Sequence, residues 1–399
     1  MPSTRWYVWA ILVLFLSLSV WLTVRIPVGC PPDELQHLDQ VERFYHGVWA
    51  DFRQLPPRNE GIQPPLYHAL AAGLWRLVGP TVTGARLICT LCGLLMVWLT
   101  WKLACELLPH APPTIPLCAA ALVAFVPMNL YMCSVVNNDA LANLLVTLGL
   151  LLLWQALARG PTPARLLTLG AVCGLALMSK STALCLLVMV LLALALRPTR
   201  WPLKLRWIAL ALGGLLLVAG WWLVHNQLLY GDPLAIRAIG ETTLSYSPWR
   251  APASNWARVV LALRSHYLRD SFWGVFNSMV SEKDFLPWWV YQVCNAGLLF
   301  GLLGLVLSRK RLAMGPERRV FLLALLAGLA VLIASYLSFN LVAFSAQGRY
   351  FFPFLAVIAI GACRGLSRLL PGRYGQVLPV LFVLFLLLVS FYALPNHMV

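Results

Sequence analysis

Long apolar runs alternate along the chain with short polar connectors. The runs cover residues 6–28, 84–108, 114–135, 139–158, 164–179, 182–197, 205–225, 286–308, 319–341, 350–363 and 376–394. Most are long enough to cross roughly 30 Å of hydrocarbon, and those at 164–179 and 350–363 are shorter. Inside hydrocarbon a backbone must satisfy its own polar groups, so each run predicts a helix, and the pattern predicts an all-α polytopic membrane protein of about eleven transmembrane helices. The first run follows Arg5 and reads as an uncleaved first helix, since Pro27 stands where a lipoprotein cleavage box needs Leu and many further spans follow. No internal repeat and no inverted symmetry between halves is visible.

Two polar stretches exceed the length of a connector, residues 30–65 and 226–285. Loops of that length without a domain of their own are usually functional. The first predicts a helix directly after Pro31-Pro32 and a second, amphipathic or membrane-edge helix of about a dozen residues after Pro64-Pro65. The second holds Tyr246, Trp249, Trp256, Tyr267 and Trp273 and ends at Trp288 and Trp289, a composition suited to short helices lying at the headgroup level.

Composition narrows the class. Of 399 residues, 60% are hydrophobic and 11% charged, against about 25% charged in soluble domains, which excludes soluble enzyme folds and leaves one membrane domain to hold any site. The formal charge of +16 would suggest nucleic acid in a soluble protein; here topology accounts for it, and no nucleic-acid partner is expected. Short connectors carry Arg159 and Arg165; Arg197, Arg200, Lys204 and Arg206; Arg309, Lys310, Arg311, Arg318 and Arg319; and Arg364, Arg368 and Arg373. Placing these in the cytoplasm puts the N terminus inside and both long loops outside, on the periplasmic or exterior side of a plasma (inner) membrane. Only Glu106 and Glu317 then remain among the acids on the basic side. Asp33, Glu34, Asp39, Glu42, Asp51, Glu60, Asp139, Asp232, Glu241, Asp270, Glu282 and Asp284 gather on the other face. Most of the ten cysteines lie in or beside apolar runs and read as packing residues, Cys89-x-x-Cys92 included.

Candidate chemistry concentrates on that acidic face. Asp33 stands at or near the start of the first predicted loop helix, where an acid caps free backbone N–H groups; with Glu34 beside it and His37 four residues on, it also makes a cluster able to accept a proton from a substrate hydroxyl. Glu34-x-x-His37 has the spacing of a helical metal-ligand pair, with no second pair in the sequence, so a divalent metal is possible and no cofactor is firmly implied. Tyr67 and His68 follow Pro64-Pro65 as candidate acceptor contacts. Asn137-Asn138-Asp139 reads as a polar turn with Asp139 as N-cap, or as a second wall of the same site. Lys180 and Arg349 are cations on the acidic face, against the prevailing charge bias. They either snorkel to headgroups or hold a lipid phosphate, which Lys and the Arg fork bind by charge-assisted hydrogen bonds. His225-Asn226 and Tyr230-Gly231-Asp232-Pro233 sit where a span enters the second long loop, the latter reading as a turn.

Taken together, Asp33-Glu34, Gln63-Pro64-Pro65-Leu66-Tyr67, Asn137-Asn138-Asp139, Lys180, Asn226 with Tyr230-Gly231-Asp232-Pro233, and Gln347-Gly348-Arg349-Tyr350 resemble, in order and over most of the chain, the GT-C superfamily of integral-membrane glycosyltransferases. That group includes the protein O-mannosyltransferases and the lipid A aminoarabinose transferases. The resemblance implies transfer of a sugar from a polyprenyl-phosphate donor to a lipid, glycan or protein acceptor. Asp33 and Glu34 are then the catalytic acids, and Lys180 and Arg349 the donor-phosphate contacts. His37, Tyr67, His68, Asn138, Asp139, His225, Asn226, Gln347 and Tyr350 are expected to line the substrates. The chain departs from the pattern at His225, where relatives often have arginine before the Asn, and no soluble C-terminal domain of the kind many relatives carry is expected after the last apolar run.

The chemistry agrees. A lipid phosphate leaves as an anion and needs preorganised positive charge, while the acceptor hydroxyl needs a carboxylate across the sugar, an arrangement that would invert the anomeric centre by analogy with inverting glycosidases. The rival readings are a transporter or flippase for a lipid-linked sugar, which predicts ionisable residues at mid-membrane depth, and a noncatalytic assembly subunit.

Overall fold

The computed structural model describes residues 3–49, 61, 63–238, 255–277, 281–308, 315–342 and 344–399. The expected loop residues Asp51, Glu60, Glu241, Tyr246 and Trp249, and the connector Arg309-Lys310-Arg311, lie outside the described residues. Sixteen α-helices are described: α1 Ser3–Arg25, α2 Glu34–Tyr45, α3 Leu66–Val78, α4 Val82–Leu107, α5 Thr114–Phe125, α6 Pro127–Met132, α7 Asp139–Ala158, α8 Pro163–Ser179, α9 Leu184–Leu196, α10 Trp201–Tyr230, α11 Asn255–Arg264, α12 His266–Trp273, α13 Trp288–Ser308, α14 Pro316–Val342, α15 Leu355–Leu369 and α16 Val377–Ala393. A 3₁₀ turn, Gly348–Phe354, leads into α15. Extended pairing among the described residues is limited to an isolated bridge between Val275 and Phe285.

Eight of the helical segments are long and apolar enough to cross a membrane, and Thr114–Phe125, Pro163–Ser179 and Ser181–Leu196 are shorter apolar helices. Every predicted apolar run is therefore helical, and the chain is a multi-pass membrane protein. The run at 114–135 is the exception to a simple one-run, one-helix rule. It breaks at Val126, whose ψ of 115° is extended, because a residue before proline is driven out of the α region and Pro127 has no N–H to continue the ladder. The two loop helices after Pro31-Pro32 and Pro64-Pro65 form as α2 and α3.

Burial orders the bundle. The α7 window is 83% buried, whereas those of α10 and α13 are 28% buried, so α7 is the central helix and α10 and α13 present leucines outward. Around α7 pack α4 and α8, with α8 lying along α10, α9 along α14, and α13 along α15. Tight crossings of this kind use small residues, because lipid supplies no hydrophobic drive between helices and close van der Waals contact must do so. At the α13–α15 crossing a Cβ on Gly365 would overlap the Gly301 carbonyl oxygen.

The two ends of the bundle differ chemically. At one end Arg159 pairs with Glu106 at 2.8 Å, Arg197 donates to Ala156 O at 2.7 Å and Arg318 donates to Leu107 O at 3.1 Å. The basic connectors thus meet at one face. The aromatics of the second long loop do not all form a belt: Trp256 is exposed, but Trp273 is buried and donates from Nε1 to Asn295 Oδ1 at 3.0 Å. The described cysteines are all free, and Cys89 is buried, donating to the Asn137 carbonyl at 3.2 Å.

Candidate active site

At the other end, α1 stops beside α2, α4 and the turn before α7. Arg86, in the first turns of α4, donates from Nη1 to the carbonyls of Thr23 at 2.9 Å and Ile26 at 2.7 Å. It thereby satisfies oxygens that the end of α1 leaves without intrahelical partners. The same guanidinium forks onto Glu34, Nε to Oε1 at 2.8 Å and Nη2 to Oε2 at 2.7 Å. Glu34 also accepts the backbone N–H of Val136 at 3.0 Å and of Gly29 at 3.1 Å. With no side-chain exposure, this carboxylate is fully occupied and joins four segments of chain. It is a fixed joint, geometrically unlike a group that meets an acceptor.

Asp33, one residue earlier, is different. It occupies the N-cap position of α2 at φ 62°, ψ 3°, and makes no side-chain capping bond. The left-handed conformation is uncommon for a residue with a Cβ, although Asp is among the more tolerant, and such outliers concentrate at functional sites. Its side chain is 53% exposed and faces Arg349, Nη2 to Oδ2, at 3.5 Å.

Arg349 links this acid to the next. Its Nη1 lies 3.8 Å from Asp139 Oδ2, and Lys180 Nζ forms an ion pair with Asp139 Oδ1. Asp139 is the first residue of α7 rather than its cap; the expected capping role passes to Asn137, whose Oδ1 accepts the Ala140 N–H at 3.1 Å. Lys180 sits at the break between α8 and the turn before α9, in extended conformation, so the interruption seen in the sequence is also where the helix ends. Its ammonium lies 5.5 Å from the Tyr350 ring centroid.

The 3₁₀ turn holding Arg349 is set against α12. A Cβ on Gly348 would overlap Leu268 O and crowd Phe272 N, so only glycine lets the turn lie flush on that helix. Gly348 N donates to Ser271 Oγ at 2.7 Å, and Gln347 Oε1 accepts from Arg349 Nε at 2.5 Å. Tyr350 hydrogen-bonds Ser345 through its hydroxyl at 2.8 Å. On the opposite wall Asn138 Nδ2 donates to Ser179 O at 3.0 Å and Gln63 Oε1 at 3.1 Å.

Behind α2, His37 Nδ1 and His68 Nε2 are 3.0 Å apart and the rings stack at 5.3 Å. Burial holds His37 neutral, its pKa lowered to about 3, with the nearby Lys180 and Arg349 charges acting the same way and Asp139 opposing them. His68 is lowered too, by burial first and by His37 second. Tyr67 is fully buried and donates to Ala85 O at 3.2 Å, which makes it a packing residue of α3 against α4.

The structure therefore brings together Asp33, Asp139, Lys180, Arg349, Gln347 and Tyr350, with Asn138 and the His37–His68 pair alongside. Four predicted residues stand apart: Glu34 and Tyr67, held as described above, and His225 and Asn226. His225 packs edge-on to Trp49 at 5.4 Å. Asn226 donates to Pro233 O at 3.0 Å and secures the turn in which Asp232 Oδ1 accepts the Leu234 N–H at 3.0 Å. The Glu34-x-x-His37 metal pair does not assemble, since Glu34 is taken by Arg86 and His37 by His68. Among the described residues no three His, Cys, Asp or Glu side chains converge as ligands.

Arg86 and Ser271 were missed in the sequence. Arg86 carried a signal, because an arginine inside an otherwise apolar run is a buried charge in search of a partner. Ser271 carried none.

Residues 62–224 match the family model described as dolichyl-phosphate-mannose-protein mannosyltransferase. No curated protein matches the sequence. Among solved structures, ArnT from Cupriavidus metallidurans in the apo state is similar over 100% of this chain and 78% of that one, at 15% identity and a TM-score of 0.61. The same protein bound to undecaprenyl phosphate is similar over 97% of this chain and 72% of that one, at 17% identity and a TM-score of 0.54. The archaeal oligosaccharyltransferase AglB from Archaeoglobus fulgidus, in complex with an inhibitory peptide and a dolichol-phosphate, is similar over 99% of this chain at 14% identity and a TM-score of 0.52; the chain spans 56% of its length. Residues 62–224 thus match that family model, and the chain as a whole is a multi-pass membrane protein with the fold seen in ArnT and AglB.

Proposed function

We propose that the chain transfers a sugar from a polyprenyl-phosphate donor to a lipid, glycan or protein acceptor at the acidic face, which the charge bias assigns to the periplasm or exterior. The carrying observation is Arg349, which lies between the exposed Asp33 and the Asp139–Lys180 pair. The donor phosphate takes Lys180 and Arg349 as its partners, with Asp139 fixing both cations in place. Asp33 accepts the acceptor's proton as the acceptor oxygen bonds to the anomeric carbon and the bond from that carbon to the phosphate oxygen breaks. The released polyprenyl phosphate keeps the bonding electrons, and its charge meets cations already in position, where such stabilisation contributes most. One displacement of this kind inverts the anomeric centre.

In this scheme Glu34 is a positioning residue: its oxygens are spent on Arg86 and two backbone N–H groups, and it holds the start of α2 from which Asp33 projects. His37 and His68 form the floor behind that helix. Undecaprenyl phosphate in the ArnT structure and dolichol-phosphate in the AglB structure support a lipid-phosphate donor. The flippase reading draws less support, because the buried ion pairs described above cluster at one end of the bundle.

The test is purified protein and its Asp33→Asn variant in nanodiscs, given a panel of polyprenyl-phosphate sugars and a membrane extract. Mass spectrometry follows released polyprenyl phosphate and glycosylated product. Product from wild type alone, with the anomer inverted, is the expected result. Equal turnover by Asp33→Asn would remove the assigned base, retention would remove the single displacement, and lipid flipping without product would replace the enzyme by a transporter.

A further inference from the structure

The face opposite the Asp33 site holds a cavity of about 460 Å³ lined by His110, Arg364, Ser367, Arg368 and Gln376, with Leu307 and Leu370 at its edge. Its origin lies in the helix packing. The glycine contact between α13 and α15 brings the last turns of both helices together, and the 110–112 and 370–376 segments close the space beneath them.

The cavity is electrostatically unfinished. Arg364 and Arg368 are four residues apart on one helix face, where like charges repel, and Arg318 adds a third positive charge to the field at Arg364. Among the described residues no carboxylate pairs with Arg364 or Arg368, and Glu106 on this face is taken by Arg159. A helix C-terminus favours one cation in its last turn; it does not account for two arginines and a histidine around one space. Gln376 accepts from Thr114 through Oε1, so its amide N–H groups remain as donors. The lining offers donors and positive charge, which is the chemistry of a phosphate site.

The surroundings identify the source of the phosphate. On the outer surface of α13, Leu302, Leu303, Val306 and Leu307 are 58%, 44%, 48% and 67% exposed, forming an apolar track that ends at the cavity mouth. An acyl chain along that track leads into a basic pocket at the end of the span. We propose that this cavity binds the phosphate of an anionic phospholipid, distinct from the donor site and on the basic face that the charge bias assigns to the cytoplasm; pockets of this composition between transmembrane helices suit such headgroups.

The test uses full-length protein, the double variant Arg364→Gln/Arg368→Gln, the charge-keeping Arg364→Lys/Arg368→Lys, and Arg373→Gln. Arg373 lies in the same segment but outside the cavity lining, stacked 5.1 Å from the Tyr374 ring. Native mass spectrometry after exposure to phosphatidylglycerol, phosphatidylcholine or inorganic phosphate reads retained ligand, and thermal unfolding reads protection. Wild type and Arg373→Gln retain phosphatidylglycerol and not phosphatidylcholine, and the double glutamine variant retains it roughly thirty-fold more weakly. If that variant does not fold, the lysine pair serves: retention kept by it and lost in single Arg368→Gln supports the site. Equal retention by the glutamine variants overturns the proposal. Protection by inorganic phosphate equal to that by phosphatidylglycerol overturns the lipid assignment in favour of a soluble phosphate.

Discussion

Glu34 and Arg86 form a two-pronged ion pair, 2.8 and 2.7 Å, with side chains 0% and 2% exposed, immediately beside the half-exposed Asp33. Removing one partner strands a buried charge, which costs on the order of 3–5 kcal/mol. Arg86→Met and Glu34→Leu are each expected to lower unfolding stability in detergent. The double variant Glu34→Leu/Arg86→Met is expected to lose less than the two singles summed, because the stranded charge is absent. Additive losses in unfolding experiments would mean that the pair is not coupled.

Lys180 and Arg349 share Asp139, so removing one cation leaves Asp139 a partner. Lys180→Gln is expected to fold and to lose about 10²–10³-fold in turnover, the size typical of one lost transition-state donor. Released polyprenyl phosphate under saturating donor measures this. A loss confined to KM would assign Lys180 to ground-state binding.

His37 gives the pH response a sign. The unfolded histidine protonates near 6.5 and the folded one near 3, so across that window the unfolded chain binds more protons and stability falls as pH falls. The contribution is complete above 6.5. His68 shifts in the same direction and steepens the decline. Unfolding of wild type and His37→Gln followed between pH 7 and pH 4 should show a flatter profile for the variant, provided Gln keeps the contact to His68.

Gly348 is expected to tolerate no side chain. Gly348→Ala pushes the 3₁₀ turn off α12, overpacking that commonly costs about 1–3 kcal/mol, and moves Arg349 from Asp33. Gly361→Ala is the control, since a Cβ there meets only Leu305 Cδ1 at 3.6 Å. Activity loss at 348 with none at 361 is the expected pair of results.

Much of this was legible in the chain. Apolar length alone placed the helices, because hydrocarbon leaves the backbone few alternatives, and charge sign alone separated the two faces. Lys180 and Arg349 stood out as cations on the acidic side, and the structure sets them around one carboxylate. What pattern could not show was which of two adjacent acids faces outward. Asp33 and Glu34 differ by one backbone conformation, the left-handed Asp33, and that choice depends on Arg86, more than fifty residues away. The break at Val126-Pro127 was written in the proline; its place within a long apolar run concealed it. His225 and Asn226 occupied the right place in the order of motifs, yet their contacts are with Trp49 and a turn.

The short 3₁₀ segment ahead of α15 has a consequence for the depth of Arg349. Counting about 2.0 Å per residue through it and 1.5 Å per residue along α15, Arg349 and Arg364 stand roughly 25 Å apart, less than the ~30 Å of an ordinary hydrocarbon core. Arg349 is itself buried in protein, so the short span sets it inside the bundle, below the usual headgroup plane. On the proposed reading, the donor's phosphate descends to those cations while its isoprenoid tail stays in hydrocarbon.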